Sequence, residues 1–486
     1  MHLKLKGYGL TADVDAFQFR TTRSGCSFSE WEHITAEGFD MEEALTYSIQ
    51  LNAGQEEDLA ELDTGPPVLA FQSLGLEPPE EPSGAGTVAP PCTRKERDKA
   101  RSKARRTATR VANREKVDVL LDGRPKHPRH LARNVKPIKT SFRLTDTSIA
   151  STGWIGLRDN GVCAAEADSD RIEAGPSPTH ELHDFLGRNK VFTGFGYVKF
   201  KDPSTRPVVD KTDKVVAVVA GMPDDPNFKR DVHDRAVEAM EAARKKASVS
   251  EERQSHRRGE FIQLTTGDSM GGGQQEPGAL VNGAINAAIL ASLVSSEPFV
   301  RLAGFATGVF ANWAPNLFDF YVSYMGRFYA KYAHLSRPFL NGIFSACTFN
   351  LGPQTCALGH RDFNNLAYGW CAITAFGDYD YRKGGHLVLW DCKLIIEFPP
   401  GCTILIPSAA MYHSNIPIAE GERRYSFTQY TAGGLFRWVE HGFMTEEAYM
   451  KRLTRQGRRE EKALGLERAE IGAGLFSTLS DLLAGK

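Results

Sequence analysis

Apolar residues recur along this chain at two spacings, and the spacing changes where the architecture should change. Between 280 and 333 they fill most of three long runs, 280–294, 298–313 and 317–333, with Ala314-Pro315-Asn316 as the turn between the last two. Runs of that length, apolar around most of their circumference, predict helices that pack against a sheet. Beyond 342 the runs shorten to 342–350, 356–363, 369–376, 385–391, 394–398, 403–407, 410–415 and 425–432, punctuated by Gly, Pro and Asp. Such short, punctuated runs predict an antiparallel jelly roll. Upstream, 191–200 and 215–221 read as strands and 235–248 as a charged amphipathic helix. The expected fold class is therefore α+β: a double-stranded β-helix (jelly roll) core with packing helices and an N-terminal mixed α/β region.

Composition divides the chain further. At 486 residues it exceeds one typical core. Residues 1–92 are acidic and poorly patterned, ending in a Pro/Glu/Gly-rich run, and read as a mostly disordered tail. Charge inverts at 93–139, a helix-prone basic arm suited to a nuclear address or to phosphate contact, or simply a solvated helix. The remaining divisions are 140–254, the mixed α/β region; 255–445, the jelly roll with its preceding helices; and 446–486, a helical tail expected to dock back on the core. Gly267-Asp268-Ser269-Met270 followed by three glycines matches no phosphate-binding fingerprint and reads as a flexible connection. The net charge is only −1, and the eight cysteines show no CxxC spacing, so reduced thiols inside a cell, with a nuclear address, are expected. The longest apolar stretch, near 287–294, falls short of a membrane span, and no membrane partner is expected.

The chemistry concentrates between His360 and Tyr430. In an extended segment alternate side chains share a face, so His360 and Asp362 can address one point while Arg361 turns away. His413 follows much later, and Arg424 stands eleven residues beyond it. Two histidines and one carboxylate make the facial set that holds non-haem Fe(II) and leaves positions open for a co-substrate and O2. The planar fork of Arg424 suits the distal carboxylate of a keto acid such as 2-oxoglutarate. On one strand, Arg424, Ser426, Thr428 and Tyr430 share a face, opposite Tyr425, Phe427 and Gln429. His386 is a rival ligand or pocket-lining group, or a satisfied core histidine. Tyr368 stands beside the ligand stretch and is either a substrate contact or a surface residue.

The order H-x-D, a long gap, H, then R-x-S resembles the Fe(II)/2-oxoglutarate dioxygenase superfamily. Gly369-Trp-Cys-Ala-Ile-Thr-Ala375, Gly384-Gly-His-Leu-Val-Leu-Trp-Asp391, Ile396-Glu-Phe-Pro-Pro-Gly401 and the block from Ser426 to Trp438 are similar to the mushroom-type fungal group within the TET/JBP (ten-eleven-translocation and J-binding) branch. The likeness is strongest over about 255–445 and does not reach the acidic tail. It implies that His360, Asp362 and His413 hold iron and that Arg424 with Ser426 binds 2-oxoglutarate. It also implies that Asn350 contacts the keto acid and that Asn365 serves substrate or the ligand shell. The implied reaction is stepwise oxidation of a methyl group on a DNA base, 5-methylcytosine or N6-methyladenine, with the base flipped from the duplex. The cysteine-rich zinc modules of the mammalian relatives are missing, which leaves the DNA grip open. Two other readings fit the same residues: a protein hydroxylase of the prolyl type, and an inactive transposon-associated DNA-binding protein. Oligomeric state is not legible.

Overall fold

A computed structural model describes residues 19–21, 27–29, 118–122, 135–147, 179–188, 190–201, 205–271 and 273–484. Most of the expected acidic tail and basic arm lies outside them. The chain falls into two compact units, 1–93 and 94–486. The first contributes an antiparallel pair, β1 (Phe19–Thr21) and β2 (Ser27–Ser29).

The second unit opens with β3 (Ile138–Lys139), β4 (Gly196–Val198), β5 (Arg206–Val209) and β6 (Val215–Gly221), followed by helix α1 (Arg235–Lys246). A hairpin of β7 (Ser255–His256) and β8 (Gly259–Glu260) leads to β9 (Gln263–Ser269) and β10 (Gly278–Ala279). Helices α2 (Ala284–Ser295), α3 (Glu297–Trp313) and α4 (Pro315–Lys331) come next. Pro298 and Pro315 sit in the first turns of α3 and α4, where a missing N–H costs nothing. Then follow β11 (Ala346–Asn350), β12 (Cys371–Asp378), β13 (Leu387–Leu389), β14 (Leu394–Ile396), β15 (Thr403–Ile406), β16 (His413–Asn415) and β17 (Arg423–Tyr430). Helices α5 (Gly433–Glu440) and α6 (Arg455–Gly474) follow.

Strand order defines the architecture. One sheet runs β10-β9-β11-β17-β12-β15-β6-β5-β3, and a second runs β16-β13-β14-β4. From β11 to β17 the chain passes back and forth between them, with β13 and β14 a consecutive pair in the smaller sheet, and the extended segment through His360 bridges antiparallel to His413 at the edge of that sheet. The central ladder β11-β17-β12-β15 facing β16-β13-β14 is the jelly-roll topology, with antiparallel pairing throughout that core. Leu387, Leu389, Leu394 and Ile396 of the smaller sheet share one buried cluster with Ile404 and Ile406 of the larger.

Residue alternation decides what each face meets. Tyr425 and Phe427 of β17, Phe349 of β11 and Phe376 of β12 join Met240 of α1, Leu290 and Leu293 of α2 and Phe299 and Leu302 of α3. The helices thus cover the back of the larger sheet, and its other face, bearing Arg424, Ser426 and Asn350, is left for the barrel interior. On the smaller sheet Val388 and Ile395 point away from the interior into a second cluster with Phe185, Phe192, Phe195 and Trp390.

The three helices stand within a few residues of their expected bounds. The strands expected at 191–200, 385–391 and 410–415 shorten to Gly196–Val198, Leu387–Leu389 and His413–Asn415, and three further features differ. The expected strand at 356–363 keeps only the His360–His413 bridge, because Asp362 already turns its N–H to Ser408 O at 3.0 Å. The glycine-bearing segment read as a connection begins as strand β9, which pairs with β11 from Gln263 to Gly267. And 254 is not a break: β6, from the upstream region, pairs with β15 of the jelly roll. The tail packs on the core through Ala473 and Phe476. Among the described residues no single helix is long and apolar enough to cross a membrane; α2 and α3, bent by 64°, pass that test only as a pair.

Candidate metal centre

His360, Asp362 and His413 offer ligand atoms that all lie within 4.8 Å of one another. Backbone pairing makes this meeting. His360 N–H donates to His413 O and His413 N–H to His360 O, each at 3.0 Å, which fixes the two side chains on one side of the bridge. Each ring is then aimed from behind: His360 Nδ1 lies 2.7 Å from Leu358 O and His413 Nδ1 lies 2.9 Å from Met411 O. A carbonyl only accepts, so both Nδ1 atoms carry the proton and both Nε2 atoms present a lone pair. Burial, together with nearby positive groups, holds both imidazoles below their ordinary pKa and hence neutral. Burial alone would raise the Asp362 pKa, but the Arg258 guanidinium, with the imidazoles, holds the carboxyl well below the usual range. Two neutral imidazoles and an ionised carboxylate are the donor set that a divalent first-row metal requires, and these residues fit it.

Arg258 has no counterpart in the sequence reading. Its Nη2 donates to Asp362 Oδ1 at 2.6 Å across 104 residues of chain. Nothing in the local run His256-Arg257-Arg258-Gly259 announces that distant partner.

The keto-acid candidates meet on the interior face of the larger sheet. Arg424 is 1% exposed, donates from Nη1 to Thr355 O at 2.7 Å, and leaves Nε buried without a partner. Asn350 and Ser426 are register partners on β11 and β17, and Asn350 Nδ2 donates to Ser426 Oγ at 2.9 Å. Further along the same face a hydroxyl chain runs from Thr265 to Thr348 (2.9 Å) and on to Tyr430 (3.3 Å).

The residues expected to meet substrate are placed otherwise. His386, two residues before Val388, shares its face and so lies on the outer side of the smaller sheet, where its Nε2 lies 3.1 Å from Tyr197 Oη. Tyr197 in turn donates to Glu397 at 2.8 Å, and burial pulls His386 down to about 4. That corrects the reading of His386 as a pocket-lining group. Tyr368 is 1% exposed in the core, edge-on to Phe476 at 6.1 Å, so it is not a surface residue. Asn365 uses its amide on Ser408 Oγ at 3.2 Å and its N–H on Asp362 O at 2.8 Å, which tightens the turn behind the carboxylate. A separate cavity of about 420 Å³, lined by Asp268, Leu280, Leu290, His334 and Arg337 among others, includes none of these residues.

No family model matches the chain, and no curated protein is similar to it. Among solved structures it is similar to NgTET1 in complex with 5mC DNA, at 14% identity and a TM-score of 0.33 over 50% of this chain and 85% of that one. It is also similar to a 2OG-Fe(II) oxygenase family oxidoreductase from Burkholderia pseudomallei, at 16% identity and a TM-score of 0.25 over 40% of this chain and 77% of that one. The viral collagen prolyl hydroxylase of Paramecium Bursaria Chlorella virus-1 aligns at 14% identity and a TM-score of 0.15, over 18% of this chain and 56% of that one. Overlays this loose assign no function. The strand order and the three-residue cluster are properties of this chain itself.

Proposed function

We propose that this protein is an Fe(II)/2-oxoglutarate-dependent dioxygenase that oxidises a methyl group on a DNA base, with 5-methylcytosine as the first substrate and N6-methyladenine as the second to test. The observation that carries the reading is the convergence of His360, Asp362 and His413 inside a jelly roll that also buries Arg424 beside Asn350 and Ser426. Iron held there supplies the oxidising chemistry, in which O2 and 2-oxoglutarate are consumed, succinate and carbon dioxide released, and a C–H bond of the methyl converted to C–OH. The chain's own residues do the rest. The backbone carbonyls of Leu358 and Met411 hold the imidazoles in the ligating tautomer. Arg424 offers the distal carboxylate a desolvated guanidinium whose Nε has no other partner. Asn350 and Ser426, joined to each other, give that carboxylate side of the pocket a fixed edge.

The base assignment rests on the sequence blocks at Gly369, Gly384, Ile396 and Ser426. With His360 and His413 only 6% and 4% exposed, a base stacked within a duplex does not reach the ligands, so the target nucleotide is extruded. The test is incubation with iron, 2-oxoglutarate and duplexes carrying each methylated base, measuring succinate and analysing the digested nucleosides by mass. Oxidised nucleosides that disappear in His360→Ala support the proposal. Succinate formed only with a peptide substrate supports the prolyl-type reading instead, and no succinate with either supports a barrel that does not turn over.

A further inference from the structure

Arg258 brings a fixed positive charge to the ligand cluster, and its setting is built rather than incidental. The β7–β8 hairpin that carries it is tied to the ligand segment, with Leu358 N–H donating to Arg258 O at 2.9 Å. His256 braces the same turn: its Nδ1 accepts from Arg258 N–H at 3.3 Å and its Nε2 lies 3.1 Å from Phe261 O. Gly259 has φ +138°, and a Cβ there would come within 2.5 Å of Cys356 O, so only glycine lets the hairpin lie flush against the ligand segment. Asp362 Oδ1, the oxygen that takes Arg258 at 2.6 Å, is also the one 3.6 Å from His360 Nε2.

Charge around this centre then follows by simple addition. The cluster holds one carboxylate, Asp362, already in contact with Arg258, and the Arg257 and Arg361 guanidiniums act on the cluster as well, Arg361 being paired with Asp391. A divalent ion alone therefore sets two positive charges beside the guanidinium that already holds the cluster's one carboxylate, and the two repel. A dicarboxylate arriving with the ion cancels the ion's two charges. We infer that Arg258 couples metal binding to 2-oxoglutarate binding: it holds down the affinity for the metal alone, so that metal and dicarboxylate bind far more tightly together than separately. This rests on the site reading proposed above.

The experiment measures Mn(II) affinity, by the loss of the free-ion electron paramagnetic resonance signal, with and without N-oxalylglycine as an unreactive dicarboxylate. In the wild-type protein N-oxalylglycine tightens Mn(II) binding at least tenfold. In Arg258→Gln the affinity for Mn(II) alone rises and the tightening shrinks at least fivefold, whereas Arg258→Lys, which keeps the charge, retains the tightening within threefold. Unfolding temperatures of both variants, measured in parallel, verify that each is folded. Unchanged or weaker Mn(II) binding in Arg258→Gln with the tightening intact overturns the inference while leaving the site reading in place, as does Arg258→Lys behaving like Arg258→Gln. Failure of the wild-type protein to bind Mn(II) at all overturns both.

Discussion

Replacing Arg424 by leucine should leave the ligand-free protein as stable as before or more so, while abolishing its response to 2-oxoglutarate. The reasoning starts from what the guanidinium lacks. Arg424 is 1% exposed, its Nη1 donates to Thr355 O, it faces the buried Tyr379 hydroxyl, and its Nε has no partner. Exchanging a poorly compensated buried charge for an apolar side chain of similar bulk is neutral to stabilising, by about 1–4 kcal/mol. Orphaning the Thr355 carbonyl costs about 1–2 kcal/mol. The net is centred near 1 kcal/mol of added stability, within about −1 to +3 kcal/mol, or about −2 to +6 °C in Tm at about 2 °C per kcal/mol for a unit this large. Binding moves the other way. A guanidinium–carboxylate fork has two charge-assisted hydrogen bonds worth about 1.5–3 kcal/mol each, so its loss weakens 2-oxoglutarate by roughly two to four orders of magnitude. Thermal unfolding with Mn(II), with and without 2-oxoglutarate at about a hundredfold excess over the wild-type Kd, reads both effects, because saturation at that level adds about 2.7 kcal/mol. The wild-type protein rises by about 5 °C and Arg424→Leu does not. A ligand-free Tm several degrees below wild type, or a rise with 2-oxoglutarate that survives the substitution, would refute the reasoning.

Phe427→Ala should destabilise the fold by about 3–5 kcal/mol without touching the interior face, since Phe427 is fully buried among Phe299, Phe339 and Phe349 at 5.0–5.8 Å; denaturant unfolding measures it, and a loss under 1 kcal/mol contradicts the packing. His386→Leu should leave the 2-oxoglutarate KM and turnover within about twofold of wild type, because the ring faces outward to Tyr197; steady-state kinetics in which turnover falls tenfold would return His386 to the pocket. Burial pulls both His386 and His441 down to about 4. A histidine whose folded pKa lies below its unfolded value of about 6.5 stabilises the fold fully above that pH and loses the contribution as pH falls toward 4. Tm should therefore decline from about pH 6.5 to 4, less steeply in a His386→Leu, His441→Leu double variant; parallel declines would contradict the assignment.

What could be read from the chain and what could not divide along a physical line. Alternation along β17 assigned Arg424 and Ser426 to one face and Tyr425 and Phe427 to the other, because a strand buried on one side by helices and on the other by a polar pocket must alternate. The helices 284–331 were legible because their apolar residues outnumber what solvent tolerates. The same alternation, followed from Val388 back to His386, would have turned that histidine outward. The sequence left His386 open between pocket and core, and only the outer cover of Phe185, Phe192 and Trp390 reveals that the smaller sheet has a second buried face. The surface alternative for Tyr368 failed because a polar tip beside a ligand segment says nothing of depth. Arg258 and strand β9 were not legible at all. The first needs a contact across 104 residues, and the second ends in Gly267-Asp268-Ser269, residues that favour turns unless a neighbouring strand such as β11 or β10 takes their hydrogen bonds.

The most direct test is anaerobic titration of the protein with Fe(II) in the presence of 2-oxoglutarate, following the visible charge-transfer absorption of iron chelated by a keto acid. The structure predicts one iron per chain, an absorption that requires both additions, and its loss in His360→Ala, Asp362→Ala and His413→Ala alike. Iron bound with the same stoichiometry and the same absorption in any one of those three variants would contradict the account.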